Sequence, residues 1–246
     1  NGAPMKISSI GFVTNTTTAQ NAQLTFVVTV QDGDGDTVQQ TLVANVSPVV
    51  LDLDGDGAEF LSRSAGVAFD YLGDGSPLST AWAGKDDGIL AIDLDGNGKV
   101  DSGKEIVFGG NGLTDLQGIA ARYDSNHDGV LDAKDSDFAK FGVWQDANSN
   151  GVSDAGEFMS LTDMGIASID LTSDGKTYST AGGDVTVHGE TNFTMTDGTT
   201  GTAADASFAV SGTDGDLMSA LLNLGAGSFD AGAAKTIGDL PPVLAA

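Results

Sequence analysis

The chain has 246 residues and carries 35 acidic against 10 basic side chains, a formal charge of −25. That excess excludes a nucleic-acid backbone as partner, because an acidic surface releases no counterions from phosphate, while an apolar share of 40% separates the chain from disordered polyanions. No apolar run approaches the ~20 residues that span a bilayer, no basic-plus-apolar signal sequence opens the chain, and zero cysteines exclude disulfide staples, thiolate zinc sites and cysteine catalysis.

In chain order, residues 1–47 read as strands. Runs at 24–30 and 37–46, rich in Val and Thr, flank the turn Asp32-Gly33-Asp34-Gly35-Asp36, which predicts a hairpin of the kind that ends a β-sandwich repeat. The abrupt start at Asn1 suggests a fragment of a longer protein. Ser47-Pro48 marks a boundary, since proline interrupts a strand ladder. From Val49 to about Leu161 short apolar runs alternate with Asp/Asn/Gly loops. Helical spacing is read in Leu113-Leu116-Ile119-Ala120-Tyr123, in Phe138-Phe141-Val143-Trp144 and in Phe158-Leu161-Met164. Strands return at 167–171, 185–188, 192–196 and 206–210. An amphipathic helix is expected at 216–224, ahead of a loose Gly/Ala/Pro tail.

Only four of the acids are glutamates, Glu59, Glu105, Glu157 and Glu190, and the other 31 are aspartates. A charge kept for solubility would use both acids, whereas Asp beside Gly suits tight loops that aim carboxylates inward. Two histidines, His127 and His188, are too few for a His-rich centre. A hard cation bound through oxygen is left, which points to calcium.

A twelve-residue calcium loop places side-chain oxygens at positions 1, 3 and 5, glycine at 6, a backbone carbonyl at 7, a ligand or water at 9 and an acid at 12. Residues 146–157 fit throughout: Asp146, Asn148, Asn150, Gly151, Val152, Asp154 and Glu157. Residues 124–135 fit with Asp124, Asn126, Asp128, Gly129, Val130 and Asp132, closed by the shorter Asp135. These loops start 22 residues apart, so one helix between them could trail the first and lead the second. In the third loop Asp93, Asp95, Asn97, Gly98, Lys99 and Asp101 are followed by Lys104 at position 12. The acid, Glu105, arrives one residue late. Asp52, Asp54 and Asp56 form a front half only, with Arg63 at position 12, so an ion there needs an outside acid. Glu59, Asp70 and Asp74 are the candidates. Three calcium ions are expected, with one or two more at 52–57 and 32–36. Asp86-Asp87-Gly88 and Asp214-Gly215-Asp216 read as turns.

The run from Ser47-Pro48-Val49-Val50-Leu51 through Asp52-Leu53-Asp54-Gly55-Asp56-Gly57 resembles the opening of a module found in very large secreted repeat-in-toxin (RTX) proteins. Trp82-Ala83-Gly84-Lys85-Asp86-Asp87-Gly88-Ile89-Leu90, Val143-Trp144-Gln145-Asp146-Ala147-Asn148 and Asp205-Ala206-Ser207-Phe208 carry the same resemblance. The family is the calcium-dependent self-processing module of FrpC-type proteins, and the likeness runs from about Pro48 to Val210. It implies type I secretion from a Gram-negative bacterium, folding by external calcium, and cleavage of an Asp-Pro bond at the module's own start through an anhydride. Here Ser47 stands where that aspartate is needed, and the chain has no Asp-Pro pair.

The fold class expected is α+β and β-rich, with EF-hand-like calcium loops joined by short helices and strands, preceded by the end of a β-sandwich repeat. Residues 1–47 form that end, 48–215 the module (loops about 52–157, β-rich part about 166–210), and 216–246 the C-terminal helix and tail. The leading reading is a calcium-binding structural module of a secreted or cell-surface protein or adhesin, with calcium and neighbouring modules as partners. An autoprocessing module cut between Ser47 and Pro48 is the alternative. A glycosidase with paired carboxylates is the third reading. It is disfavoured because nearly every acid has a place in a loop, and aromatics at 7% offer no sugar platform.

Overall fold

The computed structural model describes residues 27–31, 37–41, 44–110 and 113–211. The expected turn at 32–36 and C-terminal helix at 216–224 lie outside the described residues. The strands are β1 (Val27–Gln31), β2 (Thr37–Thr41), β3 (Ala44–Val46), β4 (Val49–Leu51), β5 (Phe60–Leu61), β6 (Ala68–Phe69), β7 (Leu78–Thr80), β8 (Trp82–Ala83) and β9 (Gly88–Ile92). After helix α1 (Asp115–Arg122) come β10 (Val130–Asp132), β11 (Phe141–Trp144), β12 (Phe158–Ser160), β13 (Ile166–Asp170), β14 (Tyr178–Thr180), β15 (Val185–Met195) and β16 (Thr200–Ser211).

The β1–β2 hairpin pairs antiparallel with Gln31 opposite Thr37, and β5–β8 forms a second two-stranded ribbon. The other strands make one antiparallel sheet in the order β10-β13-β15-β16-β4-β9-β11-β12. Its spine is the long β15–β16 hairpin, whose length gives each strand more than one outer partner. β15 takes β14 near Val187 and β13 near Phe193, and β16 takes β4 near Ala204, β3 near Phe208 and β7 near Val210. β3 therefore belongs to the main sheet although it precedes Ser47.

Both faces of the sheet are covered. Val50, Ile89, Ala91, Trp144, Val187, Ala206 and Phe208 join one apolar cluster, with Phe69, Tyr71 and Trp82 packed over them. Val49, Leu51, Leu90, Ile92, Phe141, Val143 and Phe193 join the other, under Phe108, Leu116 and Ile119. Neighbours along β4, β9 and β11 thus alternate between two dry faces, and each strand reads as an unbroken apolar run with no polar alternation.

The expected α+β architecture, with calcium loops joined by short helices, is overturned: α1 is the one α-helix among the described residues, and no loop has the helix–loop–helix frame of an EF-hand. Phe138-Phe141-Val143-Trp144 is a single 3-10 turn followed by β11, and Phe158-Leu161-Met164 is β12 and a turn. A strand buried on both faces offers apolar residues at helical spacings by accident, and short runs do not separate the two periods. Gly142 decides for the strand, since a Cβ there would lie 2.4 Å from the Met159 carbonyl of neighbouring β12. The helical spacing around Leu116 and Ile119 does form α1. A capping box starts it: Thr114 Oγ1 accepts the Gln117 N–H at 3.4 Å, and Gln117 Oε1 accepts the Thr114 N–H at 3.1 Å. The strand expectations at 185–188 and 192–196 merge into the single strand β15.

Candidate metal centre

Five loops share one device. The first aspartate turns its carboxylate back into the loop, and one oxygen accepts the N–H of the glycine five residues on. The pairs are Asp52–Gly57 (3.1 Å), Asp70–Gly75 (2.6 Å), Asp93–Gly98 (2.9 Å), Asp124–Gly129 (2.9 Å) and Asp146–Gly151 (2.7 Å). Each glycine has a left-handed φ, between +71° and +107°, which reverses the chain at low steric cost. The Asp70 loop has no sequence signal, because position 3 is Leu72. Asp70 and Asp74 serve its own turn, with Asp74 accepting the Ser76 N–H.

In loop 146–157, Asn148 accepts the Asn150 N–H at 3.0 Å, and Asn150 accepts the Val152 N–H at 2.7 Å. Both amides donate to Asp154 Oδ2, and Glu157 Oε2 reaches back to the Asp154 N–H at 2.9 Å. The aromatic core enters this loop directly: Trp82 Nε1 donates to Asp146 Oδ2 at 2.9 Å, and Trp144 Nε1 to Glu157 Oε2 at 3.4 Å. The two indoles pack edge to face, with centroids 5.2 Å apart.

Loop 124–135 begins just after α1 and runs through β10. Buried Asp135 closes it, with its two oxygens on the Ser125 N–H (2.7 Å) and the Asp132 N–H (3.0 Å). Asn126 and Asp128 accept the N–H groups two residues on, Asp128 and Val130. Lys134 lies over the mouth, its Nζ 3.2 Å from Asp128 Oδ2 and 2.7 Å from Asp132 Oδ2, and holds both carboxyls below their usual range.

Loop 93–105 leaves β9 and ends on the buried Glu105, which spans it with Oε1 on the Leu94 N–H (3.2 Å) and Oε2 on the Asp101 N–H (3.0 Å). Carboxylate oxygens of Asp93, Asp95 and Glu105 lie within 4.8 Å of one another. Asn97 donates to Asp95 and Asp101 and accepts the Lys99 N–H. Burial pushes Glu105 upward, against the two N–H groups that favour its ionised form.

The front-half loop is completed from a distance. Asp52 and Asp54 are joined by Asp87, which precedes β9 and reads as a turn in sequence, and the three offer oxygens within 4.8 Å of one another. Asp87 Oδ2 accepts the Glu59 N–H at 2.5 Å, while buried Oδ1 accepts no hydrogen bond. Burial pushes Asp87 up to about 6. Asp56 stays exposed, raised by its hydrogen bond to Asp54, and the negative charge of Asp56 in turn raises Glu59. Among the expected outside acids, Glu59 contributes only its N–H, and Asp70 and Asp74 turn elsewhere.

The Ser47-Pro48 junction sits between β3 and β4 against β16, where the Ala206 N–H donates to the Pro48 carbonyl at 3.0 Å. Ser47 is buried, its Oγ 2.9 Å from Ser207 Oγ, which in turn lies 2.6 Å from His188 Nε2. Burial lowers His188. Asp205, also buried, faces the start of α1 and accepts the Asp115 and Leu116 N–H groups at 3.4 Å, an acid at the positive end of a helix. Asp115 Oδ1 accepts the Phe108 and Gly109 N–H groups. Ser207 lies in one of the runs that carry the resemblance, but nothing in the sequence places it or His188 beside Ser47. Among the described residues no helix is long and apolar enough to cross a membrane.

The chain is 39% identical over 166 residues to the iron-regulated protein FrpA of Neisseria meningitidis serogroup C, a stretch that covers 64% of this chain and 15% of the relative. The chain thus spans a small part of the curated relative it matches. The SPM domain family matches residues 49–209, from the first residue of β4 into the β16 segment that pairs with β3. With that match covering well over half its length, the chain belongs to the SPM domain family.

Proposed function

We propose that the chain is a calcium-binding structural module of a large RTX-type protein, secreted to the surroundings or surface of a Gram-negative bacterium. In this reading it holds one calcium ion in each of the loops 93–105, 124–135 and 146–157. The supporting observation is the shared cradle: a first aspartate pinned by the position-6 glycine, buried in loops 124–135 and 146–157, and a last acid that folds back onto the loop's own N–H groups. Asp146, Asn148, Asn150, the Val152 carbonyl, Asp154 and Glu157 supply the oxygen chemistry that a hard cation takes, as do Asp124, Asn126, Asp128, Val130, Asp132 and Asp135. Asp93, Asp95, Asn97, Lys99 (through its carbonyl), Asp101 and Glu105 do so in the third loop.

A bound divalent ion would offset the repulsion among these carboxylates, and the sheet strands that flank each loop would inherit the gain. Asn at positions 3 and 5 leaves loop 146–157 with fewer charges. That argues for affinities of ~10⁻⁵ to 10⁻³ M, suited to calcium outside cells. Self-cleavage is not part of the proposal. Anhydride formation requires a carboxylate before the proline, and Ser47 offers a hydroxyl beside Ser207.

Calorimetry of the full chain with calcium and with chelator tests this. Each site filled at 100 times its dissociation constant adds about 2.7 kcal/mol, so the melting temperature is expected to rise clearly with calcium. An unchanged midpoint sinks the reading. In the same titration the double variant Asp124→Ala, Asp146→Ala is expected to bind two ions fewer. Mass analysis of the calcium-treated chain is expected to show it intact, and a fragment starting at Pro48 would replace this reading by the self-processing one.

A further inference from the structure

We infer that Asp52, Asp54 and Asp87 form a fourth site for a divalent cation of calcium's size, closed by an acid from another part of the chain. The inference rests on the calcium reading of the other loops and adds a ligand that the loop pattern does not supply. Position 12 of this loop is Arg63, whose guanidinium is committed to Asp184 at 2.7 Å. The closing acid comes instead from Asp87, 33 residues beyond Asp54.

Three observations carry it. First, the carboxylate oxygens lie within 4.8 Å of one another, the largest separation that two ligands of one ion can have at a calcium–oxygen distance of ~2.4 Å. Magnesium keeps several waters and takes one or two carboxylates, so a set of three protein acids suits calcium better. Second, Asp87 is 1% exposed, and its Oδ1 accepts no hydrogen bond. A buried carboxylate oxygen without a donor is costly, and a cation is the partner that removes the cost. Third, the cradle around the first ligand is already built: Asp52 is held by the Gly55 N–H (2.7 Å), the Gly57 N–H (3.1 Å) and Thr202 Oγ1 (3.1 Å). It lacks freedom to turn away from its neighbours.

The location gives the site a task. Asp52 follows the last residue of β4 and Asp87 precedes the first of β9, and these strands pair through Val50↔Ile89 and Leu51↔Gly88. An ion shared by the two acids clamps the open end of that pair. β4 starts one residue after Pro48, so the clamp fixes the segment that follows the Ser47-Pro48 junction.

Calcium binding to the full chain, counted by native mass spectrometry and titration calorimetry, tests the clamp with two substitutions. Asp87→Asn keeps an acceptor for the Glu59 N–H and is expected to lose one equivalent. Exposed Asp54→Ala, which leaves the buried network alone, is expected to weaken that same equivalent at least tenfold. Asp146→Ala serves as the reference loop. If Asp146→Ala loses an equivalent while neither Asp87→Asn nor Asp54→Ala alters count or affinity, the fourth site is overturned and the loop reading stands. If none of the three changes the titration, both fall.

Discussion

Loops 124–135 and 146–157 follow the same twelve-residue pattern and share the side-chain acceptors of the N–H groups at positions 5, 6, 7 and 9, yet the fold holds them differently. The second is set into the core. Its first and last acids each accept an indole N–H, and its position-6 glycine lies against the backbone of β6. The first hangs on the edge strand β10, its position-6 glycine has open space around it, and a lysine lies over its carboxylates. Sequence pattern therefore sets what a loop can bind, while its anchoring sets what binding does to the rest of the molecule. An ion in 146–157 would be felt through both tryptophans, and one in 124–135 through a single edge strand.

Matched glycine substitutions separate the two most sharply. Both residues have left-handed φ, +71° at Gly151 and +82° at Gly129, so alanine costs about 1–2 kcal/mol at either from the backbone alone. At Gly151 the new Cβ would also lie 2.1 Å from the Ala68 carbonyl, which cannot yield without moving β6. Overpacking adds about 1–3 kcal/mol. Chemical denaturation is expected to show Gly151→Ala destabilised by about 2–5 kcal/mol and Gly129→Ala by about 1–2. Equal losses would mean that loop 146–157 is no more tightly built in than its counterpart.

Trp82→Phe probes the wiring with a smaller change. It keeps most of the aromatic packing against Phe69 and Trp144 but removes the donor to Asp146 Oδ2. A buried hydrogen bond to a charged group contributes about 1.5–3 kcal/mol, so a stability loss of that order is expected, with calcium affinity altered at loop 146–157 and not at 124–135. Since the chain has two tryptophans and both touch this loop, fluorescence follows its occupancy. If the signal responds equally when only loop 124–135 has been disabled by Asp124→Ala and when only loop 146–157 has been disabled by Asp146→Ala, the wiring argument fails.

The loops were legible in the sequence because their chemistry is local. Asp146 and Gly151, or Asp93 and Gly98, are five residues apart and meet whatever the surrounding fold. Asp87 was not legible for the opposite reason: it meets Asp52 only after β4 and β9 pair, and beside Gly88 its local context is that of a turn. Ser207 and His188 reach Ser47 through the same kind of long-range pairing, along β15 and β16. The β-rich character could be read from runs such as 185–188 and 206–210. The helices expected between loops could not be told from strands, because Phe141, Val143 and Trp144 are apolar on both faces of the sheet and carry no polar alternation to mark period two.

Lys134 offers the mildest test, confined to the edge loop. Its ammonium pairs with Asp128 and Asp132, two of the expected ligands, and Lys134 itself is raised by these pairings. It does part of a cation's work while exposed to solvent, where such pairs add little stability. Lys134→Ala should therefore leave the melting temperature in chelator nearly unchanged. With calcium present the effect has a definite sign, because the incoming ion no longer displaces a competing positive charge and meets a loop one unit more negative. Titration calorimetry is expected to show severalfold tighter binding at loop 124–135, with loop 146–157 unaffected. The gain should shrink as salt rises, since both the lysine and the loop mouth are open to screening. Weaker binding in the variant would mean that Lys134 orders the ligands more than it opposes the ion, and the edge loop would then be pre-formed by its lysine as the inner loop is by its tryptophans.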